Sequence, residues 1–124
     1  MLIGGCGVGV QPWIGEYKGV HPYTVPEGGD PVVAAELATV ELEISGDRTF
    51  VLVEGGVHQT GVGEFDEEEA VLVINERVGQ YLPPEDQEER RLERLDDGDV
   101  MLLNPAQGEP LRLEIQETET QLEE

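Results

Sequence analysis

Few side chains in this sequence have the type and spacing to do chemistry. Ser45 is the only serine and Cys6 the only cysteine. A nucleophile needs a base held beside it. Ser45 sits in a Ser45-Gly46-Asp47 turn and Cys6 in a glycine-rich arm without an adjacent base, so no catalytic residue is expected. His21 and His58, the only histidines, lie far apart, and a zinc site would take a third ligand that the sequence does not single out. Asp66 to Glu69 and Asp96 to Asp99 offer the oxygen ligands that Ca²⁺ or Mg²⁺ takes, but neither follows the EF-hand spacing. Acidic turns are ordinary in so acidic a chain. No metal and no cofactor are expected.

Ile3-Gly4-Gly5-Cys6 resembles the end of a bacterial lipoprotein signal, in which an aliphatic residue and small residues precede the cysteine that receives the lipid. The charged and most of the apolar part of such a signal are missing ahead of it. Two readings stand. Either a longer signal precedes Met1 and Cys6 is the lipid attachment site, or residues 1–11 are a flexible arm with a free thiol. The apolar run is too short to span a bilayer, which takes roughly 20 residues. A diacylated cysteine would anchor the chain stably. The expected location is then the cell envelope or periplasm, lipid-anchored, with the cytoplasm as the alternative.

Charge sets the widest boundary. The chain carries 28 acidic and 7 basic residues, a net charge of −21, and Lys18 is its only lysine. Such a field repels nucleic acid and anionic membrane surfaces, both of which are held by Lys and Arg. Nucleic acid is excluded as a partner, and contact with a membrane is expected only through a lipid on Cys6. Self-repulsion acts over a Debye length of about 30 Å at 0.01 M salt and about 3 Å at 1 M. Many carboxylates with almost no lysine is the balance of proteins that work in concentrated salt, so a halophilic source is expected, with an unfolding midpoint that rises from low to multimolar KCl or NaCl. An acidic protein from a GC-rich genome is the alternative and would show no such rise.

The elements are read from periodicity. Val40, Leu42 and Ile44 alternate with Glu41 and Glu43, which predicts a strand with one apolar face. Ser45-Gly46-Asp47 turns the chain, with Gly46 supplying a positive φ, and Thr49 to Val53 returns with Phe50 and Leu52 facing inward. Gly61 and Gly63 on one face of the next strand predict a bend or a close approach. Val71 to Ile74, Val78 to Leu82, Arg91 to Leu95, Val100 to Leu103 and Leu111 to Ile115 follow as short strands. For residues 87–95 an amphipathic helix is the competing pattern, and the tight turn at Asp96 to Asp99 favours the strand. Trp13 and Tyr17 open the series on a first strand. Asp30-Pro31 predicts the cap and first residue of a short helix over Val32 to Leu37. The organisation is one domain, 12–116, between the arm and an acidic tail, 117–124. About eight strands at hairpin distances predict an all-β antiparallel meander, closed into a barrel to remove its edges.

The Tyr17-Lys18-Gly19-Val20-His21-Pro22 segment, the Leu42 to Leu52 hairpin, Gly63-Glu64-Phe65 and the late pair of strands around Asp97-Gly98-Asp99 carry a resemblance. Behind a cysteine-led arm, this order is similar to the lipocalin-like N-terminal barrel domain of the NlpE family of envelope lipoproteins, which serve in copper resistance and envelope stress. The paired cysteines of that family are missing after the first strand, where His21-Pro22-Tyr23-Thr24 stand. The resemblance implies a barrel and an envelope location, and no copper or redox site.

Two functions follow as expectations. One is a noncatalytic envelope lipoprotein, a monomer whose filled barrel is a structural or protein-interaction module for another envelope protein. The other is a barrel that holds a small apolar ligand among Trp13, Phe50, Phe65 and Tyr81. An eight-stranded barrel is just wide enough to be filled by its own side chains or to hold one ligand, and the many Val and Leu residues favour filling.

Overall fold

The computed structural model describes residues 10–106 and 108–116. The lipid-attachment expectation at Cys6 lies outside the described residues. Among these residues nine strands form one sheet: β1 (Gly15–Val20), β2 (Thr39–Ile44), β3 (Thr49–Glu54), β4 (Val57–Phe65), β5 (Glu69–Arg77), β6 (Gln80–Tyr81), β7 (Glu88–Arg94), β8 (Val100–Leu102) and β9 (Leu111–Gln116). Strand pairing runs β4-β3-β2-β1-β9-β8-β7-β5, and β4 pairs β5, so eight strands close into an antiparallel barrel. β6 is a two-residue flap that extends β5 past the end of β7. Closure leaves none of the eight with a free edge.

The alternation seen in the sequence decides which face is inside. Val40, Leu42 and Ile44 of β2, Phe50 and Leu52 of β3, Ala70, Leu72 and Ile74 of β5, and Leu113 of β9 are buried and pack as one cluster. Glu41, Glu43 and Glu64 stand exposed outside. The one α-helix among the described residues, α1 (Pro31–Ala38), starts as Asp30 accepts the Val32 N–H at 2.9 Å with Pro31 in its first turn. It is not packed into the barrel. It lies in the long β1–β2 connection.

Five local expectations need correction. Trp13 is not on β1 but on a 3₁₀ turn before it, Gln11–Trp13. Val10, assigned by sequence to the arm, is buried against the core. In the β2–β3 turn the positive φ falls on Arg48 (74°), not Gly46, because Asp47 turns back to accept from the backbone and hydroxyl of Thr49 and fixes the turn one step later. β7 begins at Glu88, three residues before Arg91, since β5 offers Val71 to Ile74 as partners for Glu88 to Arg91; Leu95 already belongs to the turn, its N–H donating to the Asp99 carbonyl. The strand expected from Val78 shrinks to Gln80–Tyr81, because Val78 (φ 52°) and Gly79 (φ 78°) form the two central residues of a tight hairpin turn with the twist such hairpins favour.

Candidate functional site

The two ends of the barrel are built differently. At the end where β1 starts, Trp13 plugs the barrel. Its indole N–H donates to the Asp66 carbonyl at 2.8 Å, and its carbonyl accepts the Tyr17 hydroxyl at 2.7 Å. Phe65 tilts against it at 5.7 Å between ring centroids. Burial pushes the Tyr17 phenol up to about 12, with Arg94 opposing and Asp99 adding to the shift. Beside the plug, Asp99 accepts the Ile115 N–H and the Arg112 guanidinium, each at 2.9 Å. Those two bonds, the backbone one first, hold its carboxyl below the usual range. Arg112 also pairs with Asp97.

At the opposite end the inward positions turn polar. Glu54 continues the inward face of Phe50 and Leu52, and Arg90 that of Leu92, so the two meet inside the barrel. Arg90 Nη2 lies 3.1 Å from Glu54 Oε1, with side-chain exposures of 7% and 8%. Gln59 of β4 donates to Glu54 at 2.9 Å and accepts from Arg77 of β5 at 2.8 Å. Glu88 pairs with both Arg77, at 3.1 Å, and Arg90, at 3.2 Å. Two arginines, two glutamates and one glutamine thus form a closed, charge-neutral ring over the apolar core. Burial pushes the Glu54 carboxyl up, but Arg90, Gln59 and the Ala106 N–H outweigh it and its pKa is lowered. Arg77 holds Glu88 below its usual range as well.

Arg77 reaches this ring only because β5 has an extra residue. Gly61 pairs with Ile74 and Thr60 with Glu76, which leaves Asn75 unpaired in a bulge. The bulge reverses the alternation, so Arg77 rather than Glu76 comes opposite buried Gln59. Gly61 permits it: a Cβ there would collide with the Val73 carbonyl oxygen. Bulges re-aim side chains in this way at barrel rims.

The β8–β9 loop crosses over the ring. β8 stands opposite β3 in the eight-stranded circle, yet the Ala106 N–H donates to Glu54 at 2.9 Å. Asn104 pins the start of this strap, its side-chain amide accepting from the Arg91 N–H and donating to the Glu89 carbonyl, as a strand residue would.

Two clefts open at this end, and His21 and Leu37 line both. The first, about 790 Å³, lies over the ring. The second, about 920 Å³, runs between α1 and the loop from Gly108 to Pro110 and is lined mainly by Pro22, Tyr23, Val33, Leu37 and Leu111. Apolar side chains also gather here. Among the described residues twelve large apolar side chains stand exposed, and ten of them lie at this end or in its connections, with Val32 at 72% and Leu37 at 64%; Ile14 and Val62 are the other two.

The four residues expected to line an interior ligand site separate. Trp13 and Phe65 meet at the closed end, and Phe50 is buried in the aliphatic core. Tyr81 is 69% exposed on β6, outside the barrel; the tight turn at Val78 carried it there. Aliphatic side chains occupy the middle of the barrel. His21 and His58 line different clefts. Among the described residues no group of three or more His, Cys, Asp or Glu side chains is placed to hold a metal ion. Asp66 to Glu69 form an exposed turn, and Ser45 closes the β2–β3 turn through its backbone.

Sequence reasoning missed the ring. Parity alone places Glu54 two residues past Leu52 and Arg90 two before Leu92, both inward. Compared with protein-family models, curated proteins and solved structures, the chain matches none.

Proposed function

We propose that this chain is a noncatalytic binding module of the cell envelope that takes a protein partner at the open end of its barrel. The observation that carries this reading is the collection of exposed apolar residues at one end of a protein that is otherwise coated with carboxylates. Solvent-exposed Val32, Val33 and Leu37 on α1, above two open clefts, are the composition of a surface that another protein covers. The filled middle of the barrel favours this over a ligand held inside.

The proposal includes a lipid on Cys6, as in the envelope lipoproteins that the sequence resembles. Val10, four residues after Cys6, packs beside Trp13 at the closed end. An anchor on Cys6 would therefore face the closed end to the membrane and the open end away from it.

Site-specific photocrosslinking in the native cell tests the partner face. A benzophenone side chain at position 33, on α1, is expected to give a discrete adduct with one envelope protein, and the same group at position 62, on the barrel wall, is expected to give none. Equal adducts from both positions, or none from position 33, would remove the proposal. Replacing Cys6→Ser should release the chain from the membrane fraction; a chain that stays there untouched by the change is held by something else.

A further inference from the structure

The two clefts at the open end differ in charge, and the difference specifies a partner. The cleft over the ring is lined by Arg77 and Arg90, both already matched by Glu54 and Glu88. The cleft beneath α1 has no lysine or arginine among its described lining residues and holds two carboxylates, Asp30 and Glu109. Its two walls come from stretches that carry no such cation at all: none occurs between Lys18 and Arg48, nor between Arg94 and Arg112. One wall therefore contains α1 and the other the loop at Pro110, and neither brings a lysine or arginine to the carboxylates; the one imidazole in the lining is His21, beside Gly108. The apolar part of the lining is chiefly Val33 and Leu37 from α1 and Leu111 from the facing strand.

We infer that this cleft seats a polypeptide segment of the partner that is both apolar and basic, its aliphatic side chains against Val33 and Leu37 and its Lys or Arg side chains toward Asp30 and Glu109. The inference rests on the reading of the open end as a partner face and adds the partner's chemistry. Charge complementarity steers such a segment to the site and rejects acidic competitors. A second copy of this chain does not fit, since it brings −21 charges and only 7 cations. An acidic segment would meet two carboxylates with no lysine or arginine beside them, in the field of the whole molecule. The cleft volume, about 920 Å³, suits a few large side chains rather than a folded domain.

Nuclear magnetic resonance titration of the ¹⁵N-labelled chain tests this, at the lowest salt that preserves the folded spectrum. The probes are a synthetic amphipathic peptide of leucine and lysine, and its twin with glutamate for every lysine. The lysine peptide is expected to shift amides of α1 and of the loop around Gly108 to Pro110, and the glutamate twin to leave them unmoved. Val33→Asp, at an exposed position, should weaken the lysine peptide about tenfold or more, a change of about 1.4 kcal/mol. Asp30→Asn keeps the helix cap, and with Glu109→Gln it removes only charge; this pair should weaken the lysine peptide severalfold and let the twin bind. Shifts scattered over the acidic wall and indifferent to all three substitutions would overturn the inference, as would equal binding of both peptides in the cleft. If the crosslink from position 33 forms while either of those results is obtained, the partner face stands and its stated chemistry falls. If the crosslink fails as well, both fall.

Discussion

The two ends of this barrel solve the same problem, how to finish an eight-stranded tube, by opposite means. At the closed end a wholly buried indole plugs the lumen and donates its one N–H to a backbone carbonyl. At the open end the tube is finished with charge, five polar side chains tied across the lumen and a strap from β8 laid over them. Aromatic packing gives stability that is insensitive to what lies outside. An ionic ring is costly to desolvate and holds only while every member is present, which suits an end that meets a partner.

The comparison can be broken at several points. The largest effect is expected from Trp13→Ala, which empties the plug: a loss of about 3–5 kcal/mol, read from the denaturant midpoint at fixed salt. A loss no larger than that from Val33→Ala on the open rim would erase the distinction between the ends. Arg90→Met is expected to cost about 3 kcal/mol or more by leaving Glu54 buried and unpaired. Adding Glu54→Leu should then recover most of it, since the pair is replaced by apolar volume. If the double variant were no more stable than Arg90→Met alone, the ring would be contributing through something other than charge.

Acid and alkali separate the ends further. Glu54 and Glu88 have lowered pKa values, so their contribution is whole above the ordinary carboxylate pKa and is lost as pH falls through the lowered values. The Ala106 amide, tied to Glu54, should lose hydrogen-exchange protection along the same acid limb. Asp99 at the closed end shifts in the same direction, so acid loosens both ends. Alkali discriminates. Tyr17 is raised to about 12, so its contribution is complete below the ordinary tyrosine pKa of about 10 and disappears as pH climbs toward 12. Phenolate absorbance that showed all three tyrosines ionising together near their ordinary value would contradict a buried Tyr17. The smallest effect is at the flap: Val78→Asn should stabilise by about 1 kcal/mol, because a β-branched residue is held at φ 52° where asparagine is tolerated. An unchanged melting midpoint would mean that the turn relaxes at no cost.

Much of this was legible in the residues themselves. Strict alternation along Val40-Leu42-Ile44 and Phe50-Leu52 announced strands and their inner face, and the Asp30-Pro31 pair announced α1. Two of the five ring residues, Glu54 and Arg90, were written in the same alternation, but in a chain with 28 acidic residues one glutamate among many draws no attention. The place of Arg77 was not readable. Arg77 points inward only because one unpaired residue, Asn75, resets the count, and a bulge leaves no local signature beyond the glycine opposite it. Tyr81 failed for the related reason that a strand expected to continue was cut short by a two-residue turn. The apolar rim was hidden differently: Val32, Val33 and Leu37 look like core in a sequence and become surface only when the helix finds no partner inside the fold.

The chain enters the barrel beside Val10 and finishes β9 at Gln116, and these two points lie at the same end, since Glu16 of β1 and Gln116 of β9 are register partners. Every connection at the other end is therefore an internal loop. A linker between residues 10 and 116, with new termini cut into the β4–β5 turn, would give a circular permutant that keeps all eight strand pairings. In such a molecule the loops at the ring could be lengthened, shortened or exchanged one at a time. The architecture thus separates what must be conserved to fold from what can vary to recognise.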